Sequence, residues 1–249
     1  MITIENQIIT VEETTSTNDL AKHYAKQGAS EGLVITAKRQ TQGRGRRGRI
    51  WHSQTGGLYF SILLRPKLPP TETAKITLLA GIAVVETLRE HYGLAAELKW
   101  PNDVLINGKK IAGILTEGSI SSSGNYIIVG IGINTNQPAP TLPEPIQPTA
   151  GSLVEFINDP LDNQVLLQQF LARFNSHYYP FVQGTHLKLL DLVRKYTSLL
   201  GQEVLVVTDQ ATYRAQALDI ADNGALIVEK PDGTKHKLLA ADVTVRRQS

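Results

Sequence analysis

The stretch AELKWPNDVLINGKKIAGILTEGS, Ala96–Ser119, predicts three short strands joined by two tight turns. The first turn contains Pro101 and Asn102. The second is Asn107-Gly108, and Asn-Gly between two apolar runs is a strong hairpin signal. Strands joined in this way pair antiparallel. The stretch therefore predicts an antiparallel or mixed sheet, and together with the helices around it an α+β domain.

Helices and further strands are predicted on both sides of this stretch. Strands are predicted at Ile8–Thr14, Gly32–Lys38, Gly56–Arg65 and Asn125–Asn136. Helices are predicted at 17–28, with Asn18 as a possible N-cap, at 71–92, in a short form from Ser152, around 166–174 and at 187–199. The segment between them, residues 137–149, carries five prolines and predicts an irregular loop.

The pattern changes after Gly201, where short apolar segments alternate with DNG and PDG turns. About 49 residues of such a meander are typical of a small β-barrel or sandwich. We therefore predict two domains, residues 1–200 and residues 201–249. The predicted fold is α+β, a mixed or antiparallel sheet with packed helices, followed by a small all-β barrel.

Composition excludes several classes of protein. The chain has 249 residues, 41% of them hydrophobic, and this is enough for a globular core. The net charge of +2 argues against binding of nucleic acid by bulk electrostatics, and the absence of cysteine excludes disulfides and thiolate chemistry. The six histidines show no metal-ligand spacing. With neither a signal peptide nor a membrane-length apolar run, we expect a soluble cytoplasmic protein.

The stretch TQGRGRRGRIW, Thr41–Trp51, concentrates four arginines and three glycines in eleven residues. Glycines let backbone N–H groups approach a ligand, and arginines form paired hydrogen bonds with phosphate or carboxylate. Because the whole chain is nearly neutral, this local charge favours one specific anion. A solvated basic loop or a nucleic-acid contact remains an alternative for this stretch taken alone.

Three more stretches could contact a ligand. Lys99–Asp103 groups a cation, an aromatic ring, an amide and a carboxylate, as a nucleotide site requires, although Trp100 could equally be a core residue. Gly113, in Lys109–Glu117, allows close approach to its strand. Val129–Asn134 places two glycines on one face of a strand and leaves that face bare, without the helix and the third glycine of a Rossmann motif.

Taken together, GRGRRGRIW, KWPNDV, KIAGIL-x-E and VGIGIN resemble the biotin–protein ligases, also called biotin–[acetyl-CoA-carboxylase] ligases. The resemblance runs from about Thr14 to the C-terminus. It implies an α+β catalytic domain and a small C-terminal β-barrel. It also implies that biotin and ATP, with Mg²⁺, form biotinyl-5′-adenylate and pyrophosphate. Biotin then passes to one lysine of a biotin carboxyl carrier protein domain.

The resemblance also implies site residues, but it identifies no metal ligands. The biotin-binding residues it implies are Ser16, Thr17, Asn18, Gln40, Gly43, Arg44, Gly45, Arg46, Lys110, Gly113 and Gly130. The ATP- or adenylate-binding residues are Arg44, Arg46, Arg49, Trp51, Lys99, Asn102, Asp103, Asn134 and Arg246. The catalytic residues are Lys110, Arg44, Arg46 and Asp103, with Asp103 expected to orient or deprotonate the acceptor lysine.

The same resemblance suggests binding partners and alternative functions. We expect a homodimer paired through a sheet edge at Gly130–Asn134. We expect no operator DNA as a partner, because the first strand at Ile8 leaves no room for the helix-turn-helix domain of some family members. We expect no membrane partner, because no apolar run has the length of a membrane helix. A lipoate or octanoate ligase of the same fold is the nearest alternative, but it has no need of Ser16-Thr17-Asn18 for a ureido ring. A nucleic-acid-binding module using Arg44–Arg49 is a second alternative, and near-neutral charge argues against it.

Overall fold

A computed structural model describes residues 7–69, 72–119, 125–157, 159–185, 187–208, 210–239 and 242–245. Seven strands form the larger sheet: β1 Gln7–Thr14, β2 Leu33–Gln40, β3 Leu58–Leu64, β4 Ala96–Lys99, β5 Asp103–Ile106, β6 Lys109–Ser119 and β7 Tyr126–Ile133. Their order is β1-β2-β3-β7-β6-β5-β4. Strands β1 and β2 pair in parallel and the other neighbours pair antiparallel, so the predicted mixed sheet is confirmed.

The hairpin between β5 and β6 turns where the sequence predicts. Asn107 has φ of 51° and Gly108 has φ of 77°. Both residues are thus left-handed, as a two-residue type I′ turn requires.

Four helices lie between or after these strands: α1 Thr17–Lys26, α2 Thr73–Tyr92, α3 Asn163–Val182 and α4 Leu187–Tyr196. Single 3₁₀ turns occur at Arg46–Gly48, Ala139–Thr141 and Leu153–Glu155. No helix within the described ranges combines the length and the apolar character needed to cross a membrane.

The N-cap of α1 corrects one prediction. Ser16 occupies the cap position, and its side chain makes no capping hydrogen bond. Asn18 lies inside the first turn and is buried. Its amide is not available for capping, because it hydrogen-bonds to the sheet through Leu115 and Glu117.

The two faces of the sheet have different cover, and β7 shows where the cavity begins. Val129, Ile131 and Ile133 join the core beneath the long helices α2 and α3. Tyr126 and Ile128, on the opposite face, pack with α1. Since side chains alternate along a strand, the next positions on this second face are Gly130, Gly132 and Asn134. The apolar core therefore gives way to glycine at the point where a ligand would need room.

The predicted free edge at Gly130–Asn134 is wrong. Strand β7 lies between β3 and β6, and Gly130 is paired with Ser61 on one side and Leu115 on the other. Its backbone groups are thus engaged within the sheet. The outer strands are β1 and β4, and β4 meets Thr197 through an isolated bridge.

The C-terminal part forms a second sheet of five antiparallel strands. They are β8 Glu203–Val207, β9 Thr212–Ile220, β10 Leu226–Glu229, β11 Lys235–Leu238 and β12 Asp242–Val245, in the order β11-β10-β9-β8-β12. The predicted meander is confirmed. Within the residues described, no pairing joins β11 to β12, so closure of the predicted barrel is not detected.

Candidate active site

The floor of the site is built on the glycines of β7. A methyl group on Gly130 would lie 2.1 Å from Oδ1 of Asn18, and one on Gly132 would lie 2.3 Å from Nε1 of Trp51. Both distances are far below van der Waals contact. The glycines therefore let an amide and an indole lie directly on the strand, and the surface predicted to be bare is partly covered by these two side chains.

Polar side chains at the start of α1 form one wall. Ser16, Thr17 and Asn18 are each exposed by less than 5%. At the end of β2, Gln40 accepts a hydrogen bond from the backbone N–H of Thr17 at 2.8 Å and donates to Ser53 Oγ at 2.7 Å. The sequence thus places neutral amides and hydroxyls side by side, with their orientations fixed by one another.

The Gly/Arg loop, residues 43–51, folds back on itself. Gly45 N donates to Arg49 O at 2.7 Å, and Trp51 N donates to Gly43 O at 2.9 Å. A methyl group on Gly43 would lie 2.3 Å from the carbonyl oxygen of Trp51. Glycine is therefore required here for the two arms of the loop to meet.

The arginines of the loop are anchored by residues outside it. Both terminal nitrogens of Arg44 donate to the carboxylate of Asp19, each at 2.6 Å. The hydrogen bonds from Arg44 hold the pKa of Asp19 below its ordinary value. Arg46 donates to Oδ1 of Asn102 at 2.8 Å. Together with Arg49 they line the cavity, and their cationic groups gather at its wall.

The KWPND motif divides between the site and the core. Lys99, Asn102 and Asp103 line the cavity. Trp100 is 2% exposed, and its indole N–H donates at 2.9 Å to Gly224 O, in the turn between β9 and β10 of the C-terminal sheet. The core interpretation of this tryptophan is therefore the right one.

Lys110 lies next to two predicted site residues. Its ammonium is 2.7 Å from Oδ1 of Asp103 and 5.3 Å from the ring centroid of Trp51. The indole rests on Gly113 and Gly132, and its buried N–H finds no acceptor among the described residues. A ligand carboxylate that binds Lys110 therefore has to compete with the carboxylate of Asp103 for the Lys110 ammonium group.

Asn134 ties the proline-rich segment to the floor. Its Nδ2 donates to Gly151 O at 2.9 Å, and its Oδ1 accepts from Gln137 Nε2 at 3.1 Å. Gln137 is buried and also accepts from the backbone N–H of Thr135 at 3.2 Å. Much of the hydrogen-bonding capacity of Asn134 is therefore used within the protein.

These walls enclose a cavity of about 960 Å³. The predicted residues that line it are Ser16, Asn18, Gln40, Arg44, Gly45, Arg46, Arg49, Trp51, Lys99, Asn102, Asp103, Lys110, Gly113, Gly130 and Asn134. Thr17 and Gly43 support the wall without lining it. Arg246 lies outside the described residues.

Sequence reasoning missed part of the wall. The additional residues include His52, Glu97, Leu142, Ile146, Pro148, Ser198 and Gln202. The proline-rich loop was predicted without a role, and only its apolar residues could have suggested one. Gln202 lies just past the predicted domain boundary, where it carries no motif.

The chemistry of the cavity is that of an anion site beside a neutral recognition surface. Hydrogen bonds and an ion pair link Arg46, Asn102, Asp103 and Lys110 along one wall. Paired guanidinium and ammonium groups are suited to phosphate and carboxylate. No group of three or more acidic, histidine or cysteine side chains able to hold a metal occurs in the part of the chain that is described.

The sequence of the chain matches two known protein-family models, one in each part of the chain. The biotin/lipoate A/B protein ligase family matches residues 10–134, and the biotin protein ligase C terminal domain matches residues 199–246. The chain belongs to the biotin/lipoate A/B protein ligase family. Within this family, it is 37% identical to the bifunctional ligase/repressor BirA of Bacillus subtilis, over 92% of this chain and 71% of that protein.

Two more family members resemble the chain over nearly its whole length. The biotin–[acetyl-CoA-carboxylase] ligase of Paracoccus denitrificans is 35% identical over 92% of this chain and 97% of that protein. The biotin protein ligase of Aquifex aeolicus, solved in complex with biotin and ATP, has a TM-score of 0.83 and 31% identity, with 98% of this chain and 100% of that chain covered. The family fold is thus present in both sheets.

Proposed function

We propose that this chain is an ATP-dependent biotin–protein ligase. It converts biotin and ATP to biotinyl-5′-adenylate and pyrophosphate, and then transfers the biotinyl group to a lysine of a biotin carboxyl carrier protein domain of a biotin-dependent carboxylase. The observation that carries the proposal is the neutral amide wall at Asn18 and Gln40 beside the cationic wall of Arg46 and Lys110, in one cavity. The ligands in the Aquifex aeolicus structure support the choice of substrates.

In the first step a carboxylate oxygen of biotin attacks the α-phosphorus of ATP. The bond from that phosphorus to the bridging oxygen breaks, and pyrophosphate leaves with the electron pair. Two anions have to meet, so fixed cations lower the barrier by stabilising the developing charge. We assign this role to Lys110 at the biotin carboxylate, where it exchanges Asp103 for the substrate, and to Arg44 and Arg46 at the phosphate.

We assign recognition of the biotin ring to the neutral wall. A ureido group has two N–H donors and one carbonyl acceptor, and Ser16, Asn18 and Gln40 offer polar atoms of both kinds at the cavity wall. Thr17 acts from behind through Gln40. Gly113 and Gly130 give the ligand room on the strands, and Gly43 and Gly45 let the loop approach it.

We assign the nucleotide to the other predicted residues, Arg49, Trp51, Lys99, Asn102 and Asn134, which line the same cavity. Arg246 is proposed on the resemblance alone. Mg²⁺ enters as the ion of the MgATP substrate and offsets phosphate charge. Mg²⁺ usually binds through one or two carboxylates plus phosphate oxygens, and Asp103 and Glu97 are the carboxylates that line the cavity among the described residues.

In the second step the neutral ε-amine of the carrier lysine attacks the acyl carbon of the adenylate. AMP leaves with the electron pair of the broken anhydride bond, and the amine loses a proton. An ammonium has no lone pair, so a base must act. We assign the positioning of the amine, and acceptance of its proton, to Asp103.

The assembly and location of the protein also remain proposals. Homodimer formation must use a surface other than β7, because that strand is interior. The domain boundary at residue 200, the cytoplasmic location and the lack of operator DNA binding stay predictions. Analytical ultracentrifugation at several concentrations would measure the oligomeric state directly.

ATP–pyrophosphate exchange tests the proposal. Purified protein should exchange label only with biotin present, and not with lipoate or without an acid. Lys110→Met should reduce the biotin-dependent exchange by about 10²-fold or more, because it removes a preorganised charge from the transition state. Exchange with lipoate in place of biotin would move the chain to lipoate ligation, and no exchange with either acid would refute ligase activity.

A further inference from the structure

Glu117 ends the KIAGIL-x-E motif and has no part in the reaction proposed above. It lies on β6 and pairs with Ile128 of β7. It is two residues after Leu115, which pairs with Gly130, so the side chains of Leu115 and Glu117 lie on the same face of the sheet. Its Oε2 accepts from Nδ2 of Asn18 at 2.6 Å, and its Oε1 is 2.6 Å from the ammonium of Lys22. Its side chain is only 27% exposed. The carboxylate of Glu117 thus contacts the Asn18 amide, which lies against Gly130 at the floor of the cavity.

The hydrogen bonds of Asn18 fix which way its amide faces. Nδ2 has two protons, and its acceptors are Glu117 at 2.6 Å and the carbonyl oxygen of Leu115 at 3.3 Å. The reverse orientation would put an amide oxygen 2.6 Å from a carboxylate, with no proton between them. Glu117 therefore directs Oδ1 of Asn18 toward Gly130 and Ser61.

The fixed orientation of the Asn18 amide also determines which way the neighbouring hydroxyl groups donate. Ser61 Oγ lies 2.6 Å from Asn18 Oδ1 and 2.7 Å from Thr17 Oγ1, and either hydroxyl of the second pair can donate. Asn18 Oδ1 can only accept, so the single proton of Ser61 goes to it. The 2.7 Å contact between Ser61 and Thr17 still needs a proton, so the Thr17 hydroxyl donates to Ser61 rather than to Gln40 Oε1, which is 3.1 Å away. Gln40 Oε1 accepts from the backbone N–H of Thr17 and keeps its second lone pair for a ligand N–H.

We propose that Glu117 is a positioning residue for biotin. It ends a polarised chain of hydrogen bonds, Thr17–Ser61–Asn18–Glu117, that turns acceptor atoms toward the bound ureido ring. Lys22 at 2.6 Å and Arg44 at 3.9 Å balance its charge, so that a half-buried carboxylate can serve as the final acceptor. Arg44 keeps its two shorter bonds to Asp19 whether or not Glu117 is charged. The inference rests on the proposed function, because it assumes that the ureido ring lies against this wall.

A pair of variants matched in size tests the inference by the exchange assay. Glu117→Met removes both acceptor oxygens and should raise the KM for biotin by about tenfold, while the KM for ATP stays within twofold. Glu117→Gln keeps one oxygen for Asn18 and should restore the KM for biotin to within about threefold of wild type. Glu12→Ala removes an ion-paired carboxylate from the distant strand β1, and it should change neither constant.

The outcomes separate this inference from the proposed function. A biotin KM within twofold of wild type in Glu117→Met, or an equal loss in Glu117→Gln, would overturn the positioning role while wild-type exchange stands. Absence of biotin-dependent exchange in the wild type would instead overturn the proposed function, and this inference with it. If Glu117→Met does not fold, Ser61→Ala tests the same chain, and an unchanged biotin KM there would also contradict it.

Discussion

Replacement of Gly130 by alanine tests whether the floor of the site is as closely fitted as the distances indicate. The new methyl group would lie 2.1 Å from Oδ1 and 2.8 Å from Cγ of Asn18. The strand cannot yield easily, since Gly130 is paired on both sides, with Ser61 and with Leu115. The side chain of Asn18 must therefore move away from the cavity floor.

The size of the effect follows from the hydrogen bonds that Asn18 would lose. One goes to the charged carboxylate of Glu117 and one comes from Ser61, both at 2.6 Å. A bond to a charged group contributes about 1.5–3 kcal/mol and a neutral one about 1 kcal/mol. Partial relaxation recovers some of this sum. Because these bonds lie within the protein, a net loss of about 2 kcal/mol falls on the free energy of unfolding. The displaced amide also loses its place at the cavity wall, and the loss of one hydrogen bond of about 1.4 kcal/mol to biotin corresponds to a KM for biotin raised about tenfold.

The assay is ATP–pyrophosphate exchange with biotin varied at saturating ATP and then ATP varied at saturating biotin. Gly118→Ala is the matched control, because the nearest heavy atom to its added methyl group is Tyr126 O at 4.0 Å. The control should behave as wild type, and the KM for ATP should change little in either variant. A Gly130→Ala protein that keeps the wild-type melting temperature and a biotin KM within twofold of wild type would refute the reasoning.

Three further predictions concern the supports of the site. Trp100→Phe removes the buried bond to Gly224 O and should lower the free energy of unfolding by about 1–3 kcal/mol in urea titrations; an unchanged midpoint would contradict this. Arg44 lowers the pKa of Asp19 below 3.8, so their pair stabilises the fold above that pH and is lost as pH falls further. The gap in melting temperature between wild type and Asp19→Asn should therefore be present at pH 7 and close below pH 3.8, and a gap independent of pH would count against the pair. Asp103→Asn should slow transfer of biotin from preformed adenylate by about 10²-fold, and unchanged single-turnover transfer would exclude it as the base.

Local pattern was enough to predict which segments form helices and strands. The alternation of β7, the Asn107-Gly108 turn and the five C-terminal strands all depend on neighbours in sequence. Strand order depends instead on contacts between distant segments. Strand β7 inserts beside β3, whose residues are about 70 positions earlier, and no local signal indicates this. The expected free edge was wrong for that reason.

The sequence predicts most of the residues that line the cavity, but fewer of the contacts between them. Arginine and glycine in one short loop favour anion binding, so the loop is a candidate from its composition, and the resemblance then singles out Arg44 and Arg46 within it. Asn18 was expected to cap a helix because asparagine often does. Its contact with Glu117, 99 positions away, is set by the fold. Gln137 was missed because a buried support residue carries no motif.

The two tryptophans show how a motif can serve both the site and the architecture. Trp51 lines the cavity, whereas Trp100, in the KWPND motif, joins the catalytic part to the C-terminal sheet through Gly224. The Gly/Arg loop also reaches the C-terminal sheet, where Arg47 donates to Val207 O at 3.4 Å. That bond is long and exposed, while the Trp100 bond is buried and 2.9 Å long, so the second contributes far more to holding the sheets together. The C-terminal sheet is therefore anchored at the same turn that supplies Asn102 and Asp103 to the cavity. Loss of the Trp100 hydrogen bond should therefore displace these two side chains before it displaces the neutral wall at Asn18 and Gln40.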